Sequence, residues 1–267
     1  MLRLMKSAPV LAALAGALVV LGTPTLARAT YAAAVFDDGV PVVGTTIVSG
    51  NTLVFTASSA DFSIDLVTGV SNNPGTPQVA SLAITNNTTI GFTSAGTHTL
   101  TIFVSQTGFT EPTTAALIGT SSAGGSYHGD TGDTVSATYQ GVVDPTNTLF
   151  GNGAGVAMTP PPAPLAGQST PLQSSGTITG TGLGITHPIV YAPGTSLNPF
   201  IPSAVPYSIT DIATLTYTTK SANSQDNANI AATTALTPVP APAGIVLALA
   251  GLPCLGGAWF WRRRKAA

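Results

Sequence analysis

Ten acidic residues and three histidines are the side chains of this sequence best suited to acid–base or metal chemistry. The densest grouping is Gly129-Asp130-Thr131-Gly132-Asp133. Asp130 and Asp133 on one tight, glycine-rich loop can aim carboxylate oxygens at a hard cation such as Ca²⁺. The spacing is not that of a helix–loop–helix calcium loop, so the expectation is a polar turn, with Asp130 and Asp133 as calcium candidates. Asp37-Asp38 is a second, sparser candidate. Asp130-Thr131-Gly132 also has the composition of a hydrolytic aspartate triplet. That chemistry needs an apolar strand leading into the Asp and a second triplet, whereas Tyr127-His128-Gly129 leads in here and no second copy exists. Asp61 and Asp65 on one strand would stand roughly 13 Å apart, too far for paired-carboxylate glycoside hydrolysis, and are expected to face solvent. His98, His128 and His187 lack metal-ligand spacing to one another, and no G-x-S-x-G elbow is present. Gly180-Thr181-Gly182-Leu183-Gly184 has no following helix to cradle a phosphate. The expectation is a chain with no catalytic residue, no cofactor and no enzymatic activity.

The elements that must position these residues read as strands. Phe62, Ile64 and Leu66 alternate with Asp61, Ser63 and Asp65, which predicts a strand over 61–67 with the apolar set inward. Similar alternation predicts strands over 51–57, 79–85, 99–105, 115–120, 134–143, 176–181, 189–191, 209–218 and 229–236. Turn residues divide them at Asp38-Gly39, Asn72-Asn73-Pro74-Gly75, Ser94-Ala95-Gly96, Gly124-Gly125 and Asp144-Pro145. No helical period of useful length occurs between residues 30 and 237. The predicted fold class is all-β, a single β-sandwich or jelly-roll-like body. The Pro-rich stretch 159–173 reads as a long loop within it, with a linker between two smaller domains as the alternative. Tyr127, Tyr139, Tyr191, Tyr207 and Tyr217 are the aromatic residues from which a sugar-stacking face could be made.

Both ends differ from this body. Residues 1–29 have a cationic start (Arg3, Lys6), an apolar run from Ala8 to Leu21, and Ala27-Arg28-Ala29 as an A-x-A cleavage site, which is the layout of a secretory signal peptide. Ala243 to Trp261 carries no charge, and as a helix it would extend roughly 28 Å, close to the hydrocarbon thickness of a bilayer. Trp259, Phe260 and Trp261 close the run, and Arg262, Arg263, Arg264 and Lys265 follow as a cytoplasmic stop cluster. With these ends set aside, the body keeps Lys220 as its single lysine or arginine against all ten acidic residues, a charge near −9. Such a surface repels phosphate backbones, so no nucleic-acid partner is expected. The lone cysteine, Cys254, lies in the tail, so the exported body has no disulfide.

A Pro-rich motif, Val239-Pro240-Ala241-Pro242, then one apolar helix and a terminal Arg cluster, resembles the PEP-CTERM sorting signal of exported bacterial proteins, with Ala241 where that family has Glu. The resemblance covers residues 238–267. It implies an exosortase, a membrane-embedded cysteine transpeptidase, as the partner that recognises and removes the tail after passage through the secretion machinery. The body also resembles, more loosely, the β-sandwich bodies found ahead of such tails. The expected protein is an exported cell-surface or extracellular-matrix protein with a structural or adhesive role, with extracellular polysaccharide as a candidate partner. It would be membrane-anchored through its C-terminal helix until processed. The alternative is a glycan- or calcium-binding extracellular module held by a permanent anchor.

Overall fold

The computed structural model describes residues 29–91, 95–113, 116–165, 167–182, 184–191, 194–195, 206–221 and 225–239. Residues up to 28, within the stretch expected to be a signal peptide, and residues from Pro240 onward lie outside them. Among the described residues there is no helix, and none long and apolar enough to cross a membrane.

The β-branched and alternating segments form fourteen strands: β1 (Tyr31–Asp37), β2 (Val40–Val42), β3 (Gly44–Ser49), β4 (Thr52–Ser58), β5 (Phe62–Ser71), β6 (Ala80–Gly91), β7 (Gly96–Phe109), β8 (Leu117–His128), β9 (Thr134–Asp144), β10 (Gln173–Thr179), β11 (Thr186–Val190), β12 (Gly194–Thr195), β13 (Tyr207–Thr219) and β14 (Gln225–Pro238). They make two antiparallel sheets. The first runs β10-β9-β13-β7-β1-β2, and the second runs β11-β8-β14-β6-β5-β4-β3, with β12 also paired to β8. Inward residues from both sheets build one core. Tyr217, Leu215, Ala213 and Ile209 of β13 share it with Leu236, Ala232, Ile230 and Ala228 of β14, and with Leu82, Ile84 and Ile90 of β6. A smaller cluster forms on the outer face of the first sheet. There Met158, from the long connection between β9 and β10, packs with Phe103, Val142 and Ile212, and Phe150 meets the Phe103 ring edge-on at 6.2 Å. Asp144 organises this connection by accepting from the Thr146 amide at 2.8 Å and the Gly155 amide at 2.9 Å. The Pro-rich stretch belongs to this covering loop, with both flanking strands in the same sheet.

Several local expectations need correction. Gly124-Gly125 is not a turn but lies inside β8, between β11 and β14. A Cβ at Gly125 would run into the Asn229 carbonyl, so the glycine allows a close approach of two backbones. Leu66 does not point inward; it is 42% exposed and Val67 takes the core position. The pairing of β5 with β6 slips between Ile64 and Leu66, and such a bulge reverses the side-chain phase. The strands β1, β2, β3 and β12 carry no expected counterpart, because short uncharged runs such as Thr45-Thr46-Ile47-Val48 lack the polar alternation that marks a half-buried strand. Asp38-Gly39 is a two-residue hairpin turn, with φ of 48° and 80°, joining β1 to β2. After it, β2 pairs in the first sheet and β3 in the second, so the chain changes sheet at Val43. Gly44 makes this possible, since a Cβ there would collide with the Phe55 ring.

One acid is enclosed between the sheets. Asp211 of β13 is fully buried, and burial pushes its carboxyl up from 3.8 to about 8. The Tyr139 and Thr234 hydroxyls face it but are bonded to each other at 2.8 Å, leaving both carboxyl oxygens without a well-formed hydrogen bond. The folded state therefore holds a proton that the unfolded chain releases between pH 3.8 and about 8. Stability contributed by this group is full below that window and is lost as pH rises through it, at up to about 1.4 kcal/mol per pH unit. The burial-raised carboxyl of Asp37 acts in the same sense, so the comparison must be between variants. Asp211→Asn is expected to give a urea midpoint that falls less than the wild type's as pH rises from about 4.5 to 8; parallel curves would show that Asp211 contributes nothing to the slope.

Candidate functional site

Strand direction decides where the acidic residues gather. β6 leads into β7, β8 into β9, and β13 into β14, each by a short connection, and all three connections lie at one end of the two sheets. The Asp38 turn belongs to the same end, because Asp37 pairs with Leu100 near the start of β7. So does Asp61, just before Phe62, which pairs with Ile90 near the end of β6. Seven of the ten acids therefore stand at or near this pole: Asp37, Asp38, Asp61, Asp65, Asp130, Asp133 and Asp226. Glu111 and Asp144 lie toward the opposite end, and Asp211 is interior.

Two groups form within the pole. In the first, Asp130 and Asp133 from the β8–β9 turn meet Asp226 from the start of β14, with one carboxylate oxygen from each within 4.8 Å of the others. Asp133 and Asp226 are each only 2% exposed. Buried carboxylates need compensation, and it is supplied locally. The Tyr127 hydroxyl donates to Asp226 Oδ2 at 2.6 Å, the Asp130 amide donates to Asp226 Oδ1 at 3.0 Å, and the Lys220 amide donates to Asp133 Oδ1 at 2.9 Å. Burial first, and then the bond to Asp226, holds the Tyr127 hydroxyl well above its ordinary range. The Lys220 ammonium, the body's one cationic lysine, lies against Gly132 in this turn. The Gly180 amide donates to the Asp133 carbonyl, and the Gly132 amide to the Gly180 carbonyl. The glycine-rich segment around Gly180 is thus tied into this turn through its backbone.

The second group is Asp38, Asp61 and His98. His98 Nδ1 lies 3.0 Å from Asp38 Oδ2 and 3.4 Å from Asp61 Oδ2. The Thr99 amide donates to Asp38 Oδ1 at 2.6 Å, fixing the hairpin turn against β7. An open groove of about 460 Å³ adjoins this group, lined by Asp37, Asp38, Asp61 and the apolar edge from Val40 to Val43.

The candidates Asp130 and Asp133 are therefore brought together. Asp226 completes their group and was missed, because 93 residues separate it from Asp133 and only strand order makes them neighbours. Asp61 corrects the expectation of a solvent-facing residue: its side chain is 16% exposed and set against His98, while Asp65 accepts from Thr89 at 3.0 Å. His98 was not expected to join a carboxylate group, and Asp38 of the second calcium candidate now belongs with it. His187 Nε2 instead meets the Thr181 hydroxyl at 3.1 Å. The tyrosines do not make a surface platform. Tyr127, Tyr139, Tyr191, Tyr207 and Tyr217 are all buried, with Tyr207 stacked on Phe109 at 5.7 Å. Ala29 is exposed ahead of β1, and Val239 is described at the end of β14, its amide donating to the Ala116 carbonyl at 3.1 Å. Ala27, Pro240, Ala241, Pro242, Arg262, Arg263, Arg264 and Lys265 lie outside the described residues.

No protein-family model matches the chain, and no curated protein matches it significantly.

Removing Asp226 takes the acceptor from the buried Tyr127 hydroxyl, and removing Tyr127 takes one donor from the buried Asp226 carboxylate. Tyr127→Phe is expected to cost about 2 kcal/mol of unfolding free energy and Asp226→Ala about 3 kcal/mol, with the double variant costing less than the sum. Chemical denaturation of the four proteins measures the coupling; strict additivity would mean that the 2.6 Å bond contributes nothing.

Proposed function

We propose that this chain is an exported cell-surface or extracellular-matrix protein with a non-enzymatic structural or adhesive role. A single jelly-roll-like body would be displayed by a C-terminal sorting tail of PEP-CTERM type. The observation that carries this reading is the polarity of the body. β14 runs through the middle of the eight-stranded sheet and ends at Pro238, where the Val239-Pro240-Ala241-Pro242 motif begins. Both acidic groups lie at the other end. A body tethered through residues 243–261 would hold its acidic pole away from the membrane, where anionic lipid headgroups would otherwise repel it. The first residue of the body, Thr30, lies at the tail end, its amide donating to the Thr107 hydroxyl, so removal of residues 1–29 would not disturb the pole. The tail would be recognised and removed by an exosortase after export.

The intact mass and membrane fractionation of the protein from its native host test this reading. A species beginning near Thr30 and ending near Pro240 to Pro242 is expected. A membrane-bound species retaining Arg262 to Lys265 would overturn tail processing and leave a permanent anchor.

A second reading is favoured by the convergence of Asp226 on Asp130 and Asp133, which is a calcium-binding extracellular module. Three carboxylates offer hard oxygen ligands, and each oxygen that already accepts one hydrogen bond keeps a second lone pair. The hydrogen bonds from Tyr127, Asp130 and Lys220 preset these carboxylates. Calcium chloride is expected to raise the thermal midpoint of the wild type and to raise that of Asp130→Asn less. A wild-type midpoint that calcium leaves unchanged would remove this reading without touching the first.

A further inference from the structure

We propose that the edge strand β3 pairs antiparallel with β3 of a second copy of this chain, joining two eight-stranded sheets into one continuous sheet. The inference starts from a comparison of the sheet edges. An exposed edge strand offers unpaired backbone amides and carbonyls to another strand, and folded proteins block such edges with proline, bulges, charge or brevity. The six-stranded sheet ends at one side in β2, three residues long with Pro41 at its centre, and the edge beyond it is only the four residues Tyr31–Ala34. At its other side it ends in β10, whose pairing slips between Ser174 and Thr177 around Gly176 at φ 69°. The eight-stranded sheet ends at one side in β11, which contains Pro188. Among the edges of the described residues, only β3 has none of these devices. It is six residues long, Gly-Thr-Thr-Ile-Val-Ser, with a regular register against β4 and no proline or charge. No charged residue or histidine occurs anywhere from Gly39 to Ala60.

The faces of β3 point the same way. All six of its residues are exposed, including the β-branched Ile47 at 62% and Val48 at 47%. Val48 stands opposite Leu53, which is buried, so it lies on the core side of the sheet, yet it is not covered. The chain's change of sheet at Val43 removes β2 from the place that would cover it. A short uncharged segment rich in β-branched residues, at an unblocked edge, is well suited to pairing with its own kind.

Charge selects the occupant as a second copy in antiparallel orientation. Seven of the body's ten acids stand at one pole, so contact between two copies through that end, or with their poles aligned side by side, sets acid against acid. Pairing through β3 brings together an uncharged stretch. A two-fold axis normal to the sheet also sends the two acidic poles in opposite directions, whereas parallel pairing would align them. With Ile47 opposite its own copy, the β-branched rows meet and the interface closes on itself, as an isologous contact requires. The C-terminal ends then point opposite ways, so a pair of this kind links copies on opposed surfaces or within a matrix rather than side by side on one membrane. That last consequence rests on the proposed display by the tail, whereas the pairing itself does not.

The test is sedimentation velocity of the full-length protein in a mild detergent that shields residues 243–261, over a roughly hundredfold concentration range reaching about 0.2 mM, since so small an interface is weak. The wild type is expected to pass from monomer to dimer. Ile47→Lys/Val48→Lys is expected to stay monomeric, with at least about tenfold weaker association, and Val190→Lys on the β11 edge is expected to dimerise like the wild type. A wild type that stays monomeric throughout, or a double-lysine variant that dimerises equally, overturns the proposal. Should the double variant fail to fold, hydrogen exchange of the wild type decides. The amides among residues 45–49 that point away from β4 must gain protection as concentration rises, and unchanged protection there overturns the pairing.

Discussion

The burial of β13 against β14 is the contact on which the rest of the body depends. Each is the best-paired strand of its sheet, β13 between β7 and β9, and β14 between β6 and β8. Their inward residues face one another across the core, and the chain passes from one to the other through the short connection after Lys220. With no disulfide available between residues 30 and 237, this apolar contact must hold the sheets together. It also encloses Asp211, so the contact that binds the sheets buries an acid whose proton the folded state holds more tightly than the unfolded chain does.

The same pair of strands fixes the acidic pole. Asp226 is the second residue of β14 and Lys220 directly follows β13, so both arrive at the β8–β9 turn because one central strand begins and the other ends there. The carboxylates of Asp130, Asp133 and Asp226 are brought close by topology and tolerated because Tyr127 and two backbone amides donate to them. His98 plays the corresponding part for Asp38 and Asp61. The result is a body with a charged end and an end from which the chain leaves toward its apolar tail.

Legibility followed the strength of local pattern. The strands with polar alternation, such as those around Ile64, Ile102 and Leu215, were readable because a half-buried strand imposes a two-residue period. β3 was not, because both of its faces are exposed and no burial pattern is written into it. The Gly124-Gly125 pair reads locally as a turn, yet close backbone approach by Asn229 makes it strand. Leu66 reads as core, yet a bulge in the ladder with β6 turns it outward. The tyrosines could have been surface or interior on composition alone; packing placed all six inside.

What the sequence by itself determined is the all-β class, the acidic excess of the body, the absence of cysteine from it, and the turn that carries Asp130 and Asp133. These are properties of local period and composition, and no partner strand is needed to state them. Only the tertiary structure decided that Asp226 joins that turn, that His98 sits between Asp38 and Asp61, that Asp211 is sealed in the core, and that β3 is left as an open edge. Each of these depends on which strands become neighbours, and that is set by the global pairing of two sheets rather than by any window of the chain.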